Sequence, residues 1–504
     1  MKERIVKHFR IFLITLIGIL ISQVIATTHV YLANNQLANQ IQYLKVNGYL
    51  IVPNLHVLPQ LNSFMTAFIG GLFFTGTIGL GIISISLLIS WFWINKTQNK
   101  ILFLVTIFFQ GIISIYCANR NGWCVFTLYL VLMLPLLTLI CFIIPQNKKS
   151  SLANPKLFWS LPIIFMMIAG YTTGRSVSFI TIRDYLLLSN DYGHYLNDLY
   201  YQYTLYPGEV IKPISLKQQK TCFIHTDSHD KAPYLKTIER KCILYDYLLI
   251  PDPKMADVVL HIQPPNIFFQ IDDRTVLQTE IFNFLRDTKS VFSDFSAQTD
   301  SNDFFRMCIL LSLTISAPIL IYIILMQGLF GFFYLMKIPT FVCQWLVIII
   351  TCGCIGLIIH QLPKELSNHA TEKNDSNEFQ KAYQQKDWRK AVVALKSKPL
   401  TEAHKKHVMA LQWLNQTDNP ILKYWLIRFL SNSNTSINSD VYLKFLSDPN
   451  VNVVCQALYA LGRQRDRKLI PRIIDFIQDC PHWYVQMYAY RSLKRLGWRN
   501  FSKK

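Results

Sequence analysis

Residues 64–94 read FMTAFIGGLFFTGTIGLGIISISLLISWFWI, without a single Asp, Glu, Lys or Arg. Such a stretch exceeds the roughly 20 residues that carry a helix across a bilayer core, where a spanning segment must satisfy its backbone internally. Six further apolar runs lie near Ile11 to Leu32, Ile101 to Tyr116, Val125 to Ile144, Leu157 to Thr173, Met307 to Leu335 and Ile338 to Ile359. Together they predict a polytopic α-helical membrane protein with about seven transmembrane helices.

The chain is 51% hydrophobic and 16% charged, and the charges locate the polar parts that such a composition still requires. Residues 1–180 contain one acid, Glu3, whereas residues 181–305 hold 17 acids against 12 Lys plus Arg, and residues 363–504 hold 12 against 24. This divides the chain into a membrane part with five helices (1–180), an extramembrane α+β domain (181–305), two more membrane helices (306–362) and an α-helical repeat domain (363–504).

Positive residues near helix ends stay on the cytoplasmic side. A cytoplasmic N-terminus keeps ten bases inside, among them Lys2, Arg4, Lys7, Arg10, Lys96, Lys100, Lys148, Lys149, Lys156 and Lys337, and leaves four outside, Lys45, Arg120, Arg175 and Arg306. Seven crossings then put the loop after the first helix, the middle domain and the C-terminal domain on the exported side of a plasma (inner) membrane. Two alternatives stay open. Val24-Ile25-Ala26 offers small residues to a signal peptidase, although apolar character continues to Leu32, as expected of an uncleaved anchor. Met307 to Leu335 is longer than one crossing and contains Pro318, Gly328 and Gly331, so one span plus a re-entrant piece also fits.

Of eleven cysteines, six fall on the predicted exported side, as Cys117 with Cys124, Cys222 with Cys242, and Cys455 with Cys480. An oxidising compartment permits disulfides there; the plain alternative is small buried hydrophobes. Cys141, Cys308, Cys343, Cys352 and Cys354 lie in apolar runs and read as packing residues.

The middle segment opens with Leu188, Tyr192, Tyr195, Leu199, Tyr203 and Tyr206 at helical spacing, ended by Pro207-Gly208. This aromatic face suits either the membrane surface or the domain's own core. Short β-rich runs follow at Thr221 to His225, Cys242 to Ile250, Asp257 to Ile262 and Ile267 to Ile271, and then a predicted helix from Thr275 to Arg286. Cys222, His225, His229 and Cys242 offer soft sulfur and imidazole ligands of the kind zinc favours. His225 and His229 lie in a polar stretch that equally reads as a solvated turn. No cofactor motif is present.

In the C-terminal part, Val453, Ala457 and Leu461 recur 32 residues later as Val485, Ala489 and Leu493, and 32 residues earlier stand Ile421, Trp425 and Phe429. The four-plus-four spacing is that of a buried helical stripe. Asp448-Pro449-Asn450 and Asp479-Cys480-Pro481 precede two of these helices with capping and fixed-φ residues.

The pattern in residues 448–462 resembles the HEAT repeat family, with a looser copy in residues 482–497 that lacks Gly after Leu493. Residues 379–395, with Ala382 and Ala391 at close-packing positions, look like a tetratricopeptide hairpin. The resemblance covers about residues 379–497 and implies an α-solenoid, whose repeats bury a shared core and present one elongated face to a partner.

The domain's +12 charge suits an acidic protein, anionic lipid headgroups or an anionic polymer. Lys494, Arg495, Trp498, Arg499, Phe501, Lys503 and Lys504 form a basic aromatic tail suited to a membrane surface. Three function classes follow. The first is a membrane scaffold that meets lipids and, through its repeats, a protein partner, with no nucleic acid. The second is a transport component for an apolar or lipid substrate, since the spans offer only uncharged polar groups such as Gln23, Gln110 and Gln344. The third is an enzyme acting on lipids or glycans, for which Arg175, Arg183, Asp184, Asp191 and His194 cluster after the fifth run.

Overall fold

Helix α1 runs unbroken from Lys2 to Val46. At ~1.5 Å per residue it extends about 68 Å, more than twice a ~30 Å hydrocarbon core. Helices α2 (Phe64–Phe74) and α3 (Leu80–Lys96), joined by a π-helical turn at Thr75–Gly79, pack along it. Small residues let the backbones approach: a Cβ on Gly71 would sit 3.0 Å from the Thr27 amide nitrogen, and one on Gly79 only 2.2 Å from Ser22 Oγ. Between apolar helices in lipid, close packing and interhelical hydrogen bonds replace the hydrophobic driving force. Gln23 supplies such bonds, donating from Nε2 to the Phe68 carbonyl at 2.8 Å and accepting from Thr75 Oγ1 at 2.8 Å.

The structure is a computed structural model that describes residues 2–96, 100–120, 124–143, 183–188, 190–226, 234–313, parts of 325–333, 336–361, 377–396, 403–432 and 437–501. Among the described residues, Leu13–Val46 and Phe64–Ser90 are the two helices long and apolar enough to cross a membrane. They point to membrane association and correct the expectation of about seven spans. An apolar run in sequence is not always a full-length span. The Val125 to Ile144 run continues through a π turn at Tyr129–Met133 into Leu134–Ile143, but its apolar helix, Tyr129–Ile140, is too short for a crossing, and the described start of the Met307 run belongs to a nine-residue helix, Asp303–Leu311. The run from Leu157 to Thr173 lies outside the described residues. Helices Lys100–Ala118 and Thr340–Gln361 carry the other two runs.

Helices α4 (Asp191–Tyr203) and α5 (Leu205–Val210) follow. Pro207 and Gly208 do not end the helical stretch as expected: Pro207 lies in the first turn of α5, where a missing N–H costs nothing. The aromatic face divides. Tyr192 and Tyr195 are exposed, while Tyr206 is buried against Trp483 with ring centroids 5.1 Å apart.

The α+β domain is a five-stranded sheet in the order β2-β1-β3-β4-β5. Strands β1 (Lys220–Thr226), β2 (Tyr247–Leu249) and β3 (Val258–Gln263) pair in parallel, and β4 (Asn266–Ile271) and β5 (Arg274–Glu280) add an antiparallel meander. Helix α6 (Leu235–Leu244) forms the crossover from β1 to β2, and α7 (Ile281–Arg286) and α8 (Thr288–Gln298) follow β5. Along β3, Val258, Leu260 and Ile262 face a core of Ile267, Phe269, Phe284, Phe292 and Phe295, as the period of two requires. Two expectations change here. Cys242 belongs to α6, and Thr275 to Glu280 is strand: Asp272 and Asp273 take φ of 47° and 62°, the double positive turn that closes a tight hairpin.

The C-terminal part is a stack of helix pairs: α9 (Asn377–Gln384) with α10 (Trp388–Lys396), α11 (Ala403–Gln416) with α12 (Pro420–Asn432), α13 (Ser439–Leu443) with α14 (Val451–Arg463), and α15 (Ile470–Asp479) with α16 (Trp483–Arg495). The second helices form a continuous row, α10 to α12 to α14 to α16. Val453, Ala457, Leu461, Val485, Ala489 and Leu493 are all buried in it. A Cβ on Gly462 would lie 2.9 Å from Ser492 Cα, so only glycine allows α14 and α16 this close.

Residues 47–63, between the two candidate spans, join everything. The buried Asn54 donates from Nδ2 to the carbonyls of Ile477, Gln478 and Cys480 at 2.7, 2.9 and 2.9 Å, satisfying the C-terminus of α15. Asn500 clamps both backbone polar groups of Leu50 at 3.0 and 2.8 Å, and Gln219, just before β1, bonds Leu50 and Val52. The Tyr49 hydroxyl donates to the Leu249 carbonyl of β2.

Candidate functional site

The row of second helices presents arginines against aromatic rings. On α12, Arg428 lies 5.3 Å from the Trp425 ring and donates to the Tyr424 hydroxyl at 3.2 Å. On α14, Arg463 donates to the Tyr459 hydroxyl at 3.4 Å. From α16, Arg495 sits 4.2 Å from the same Tyr459 ring, and Arg491 lies 5.8 Å from the Tyr488 ring. Helical periodicity explains the assembly: Arg463 and Arg495 are separated by the 32-residue repeat, so they occupy equivalent places on adjacent helices, and Arg428 comes from one turn earlier in its own helix.

Among the described residues, none of these four guanidiniums has a carboxylate within ion-pair distance, and Arg463, Arg491 and Arg495 are exposed. Their combined field reaches Tyr459. The hydrogen bond from Arg463, with the charges of Arg463, Arg495 and Arg428, holds its phenol below the ordinary value against the opposing effect of burial. A planar guanidinium backed by a ring keeps its fork of donors directed outward, the geometry that takes a carboxylate or phosphate bidentately.

Beside this row lies a sealed ionic node. Asp184 is fully buried, and Arg183 is 4% exposed. Arg183 donates to Asp184 Oδ1 from Nε at 3.0 Å and Nη2 at 2.6 Å, while Oδ2 accepts from Trp425 Nε1 at 2.8 Å and faces Lys396 Nζ at 3.1 Å. The Arg183 guanidinium also stacks 4.0 Å from the Tyr424 ring. Burial opposes the charge of Arg183, but Asp184 and Tyr424 outweigh it and hold the group above its ordinary value; burial lowers Lys396. The node ties the segment ahead of α4 to α10 and α12. Asn452 extends the tie, donating to Asn197 of α4 at 3.2 Å.

This changes the reading of several sequence candidates. Arg183 and Asp184 are sealed against each other and closed to any substrate; Asp191 is exposed, His194 is half-buried, and Arg175 lies outside the described residues. The four proposed metal ligands do not assemble. Cys222 and Cys242 meet in the core of the sheet, whereas His225, three positions along β1, is exposed on the opposite face, and His229 lies outside the described residues. No cluster of His, Cys, Asp or Glu that could hold a metal exists among the described residues.

The cysteine pairs named as possible disulfides stand as follows among the described residues. Cys222 and Cys242 are free thiols, and burial first, then Cys242, pushes the Cys222 thiol well up. Cys124 is free and donates to Asn302 Oδ1 at 3.1 Å; the side chain of Cys117 lies outside the described residues. Cys455 and Cys480 are also free. The arginine row was missed because its members come from three helices. The 32-residue spacing of Arg463 and Arg495 was the available signal.

Neither a known protein family, nor a characterised protein, nor a solved structure matches the chain.

Proposed function

We propose that the chain is a membrane-anchored scaffold whose helical stack binds an acidic segment of a partner protein through the arginine–aromatic row. The observation that carries this reading is the convergence of Arg428, Arg463 and Arg495 on Tyr459 without a neutralising carboxylate among the described residues. Four like charges side by side repel one another, a cost that an anionic partner relieves. The stack of helix pairs supports the HEAT-like reading for residues 448–462 and 482–497 and the tetratricopeptide-like one for residues 379–395. In such folds binding surfaces run along one row of helices.

Contacts together with charge support a reading of sidedness. Residues 47–63 lie between the two candidate spans and touch both the sheet and the stack. Both modules therefore share that loop's side of the membrane. Lys2, Arg4, Lys7 and Arg10 at the other end of α1 support a cytoplasmic N-terminus and an exported location for sheet and stack.

Fluorescence anisotropy with a labelled oligo-glutamate peptide tests the reading. Binding to the full chain should weaken with added salt. Arg463→Gln with Arg495→Gln should lower affinity roughly five- to thirtyfold, at about 0.5–1 kcal/mol for each exposed ion pair lost. Affinity unchanged by the double substitution would sink the proposal.

A further inference from the structure

A second feature lies where α1 turns polar. Its sequence changes after Leu32 to Ala33-Asn34-Asn35-Gln36-Leu37-Ala38-Asn39-Gln40. This stretch forms one wall of a cleft of about 570 Å³, whose other walls are the end of α5 and the linker to β1, the turn before β3, and residues 299–302. The volume falls within the ~300–1,000 Å³ of small-molecule sites.

The charges in its lining balance. Three lysines, Lys212, Lys217 and Lys254, face three acids, Glu209, Asp257 and Asp300. Lys212 pairs with Glu209 at 2.5 Å, Lys217 with Asp257 at 2.9 Å, and Arg306 holds Asp300. An anion entering the cleft would gain little net attraction. Of the lining carboxamides, Gln40, Gln219 and Asn302 are already bonded within the protein. Asn34, Gln36 and Asn39 remain, and a carboxamide carries donors and an acceptor together, the complement of a hydroxyl group. Asn34 is 1% exposed, and its Nδ2 has no hydrogen-bond partner; a buried amide left so is destabilising until something accepts from it.

We infer that this cleft binds a neutral, polyhydroxylated group, the sugar headgroup of a glycolipid or the same sugar free in solution. Position favours the lipid source. The cleft opens where α1 leaves its apolar stretch, beside the start of α2 with its exposed Phe64 and Met65, so a ligand there stands at headgroup depth. Val210, Ile214, Met255 and Ala256 add apolar surface for the sugar's carbon faces.

The test uses the full chain in phosphatidylcholine nanodiscs and hydrogen exchange over residues 33–40, 209–217 and 254–257. Doping with monoglucosyl diacylglycerol should slow exchange there, about tenfold at ten times the dissociation constant. Gln36→Ala with Asn39→Ala, both exposed and tolerable to the fold, should abolish the protection; Asn34→Leu, which replaces the unpartnered amide, should do the same. Equal protection by soluble methyl glucoside would support the chemistry and assign it to a free sugar. No protection by either glucoside, protection retained in both variants, or equal protection by phosphatidylglycerol would overturn the inference.

Discussion

Replacing Asp184 with Asn keeps the shape of the side chain and removes its charge. Two cations then face each other without an anion: Arg183, bound to Oδ1 at 2.6 Å, and Lys396, 3.1 Å from Oδ2, with side-chain exposures of 5% and 15%. Breaking a buried pair by removing one partner costs about 3–5 kcal/mol, because the remaining charge is left uncompensated. The indole of Trp425 keeps an acceptor if the Asn oxygen turns toward it, but the new amide then points its donors at Arg183. The damage should be local. Hydrogen exchange over residues 388–396 and 420–432 should show the opening equilibrium rising by roughly two to four decades, with the sheet unaffected. Because the fault is excess positive charge, adding Lys396→Met to Asp184→Asn should recover part of the loss, a favourable coupling in a double-mutant cycle. Less than a tenfold change on Asp184→Asn, or no recovery on removing Lys396, would refute the assignment of this node as a charge-balanced clasp.

Asn54→Ala strips the Ile477 and Gln478 carbonyls at the end of α15 of the Asn54 donor, while Cys480 keeps Gln486 Nε2 at 2.7 Å. At roughly 1 kcal/mol per bond, with more for carbonyls left buried, it should cost about 2 kcal/mol, read as a lower thermal midpoint and faster proteolysis near residue 480. Asp257 is held below its ordinary value because Lys217 and the Thr221 hydrogen bonds outweigh burial, which opposes its charge. Its stabilising contribution is therefore complete above the unfolded carboxylate value near 3.8 and is lost as pH falls through the lower folded value. Gln40 of α1 donates to Thr221 Oγ1 of β1 at 3.1 Å and to Asp257 Oδ2 at 3.2 Å; this joint should loosen only in strong acid, whereas Asp257→Asn should loosen it at neutral pH, measured by exchange at residues 220–222. Gly462→Ala places a methyl against Ser492 Cα, and overpacking of about 1–3 kcal/mol should lower the midpoint of the stack while leaving Gly76→Ala, in open space, as a neutral control.

The helical stack was legible because burial there obeys one periodicity: Val453, Ala457 and Leu461 and their copies fall inside the row of second helices. Strand β5 was misread for a reason of the same kind. Leu277, Ile281, Phe282 and Leu285 fit helical spacing, yet the Asp272-Asp273 turn commits Thr275 onward to pair with β4. Hydropathy also overcounted spans, since the Val125 to Ile144 run is apolar throughout although its apolar helix, Tyr129–Ile140, is too short to cross. The charged sites were the least legible. Asp184, Lys396 and Trp425 lie up to 241 positions apart along the chain, and no local pattern marks residues that only tertiary packing brings together.

The contacts of residues 47–63 bear on topology more firmly than any count of spans. If α1 and the α2–α3 rod each cross once, the loop between them occupies one side, and whatever it touches must occupy the same side. It touches β2 through Tyr49, the segment before β1 through Leu50 and Val52, α15 through Asn54 and the end of the chain through Asn500. Lys494 of α16 reaches Asp246 beside β2, so sheet and stack also meet directly. A chain built this way is not a set of modules on flexible tethers. On the proposed reading, a partner seated on Arg495 would lie one residue from a salt bridge that joins stack to sheet, and any shift of α16 on binding would be carried into the domain that walls the polar cleft. Lys494→Ala should therefore leave peptide affinity at the arginine row nearly unchanged while raising exchange at residues 246–249; unchanged exchange there would separate the two sites.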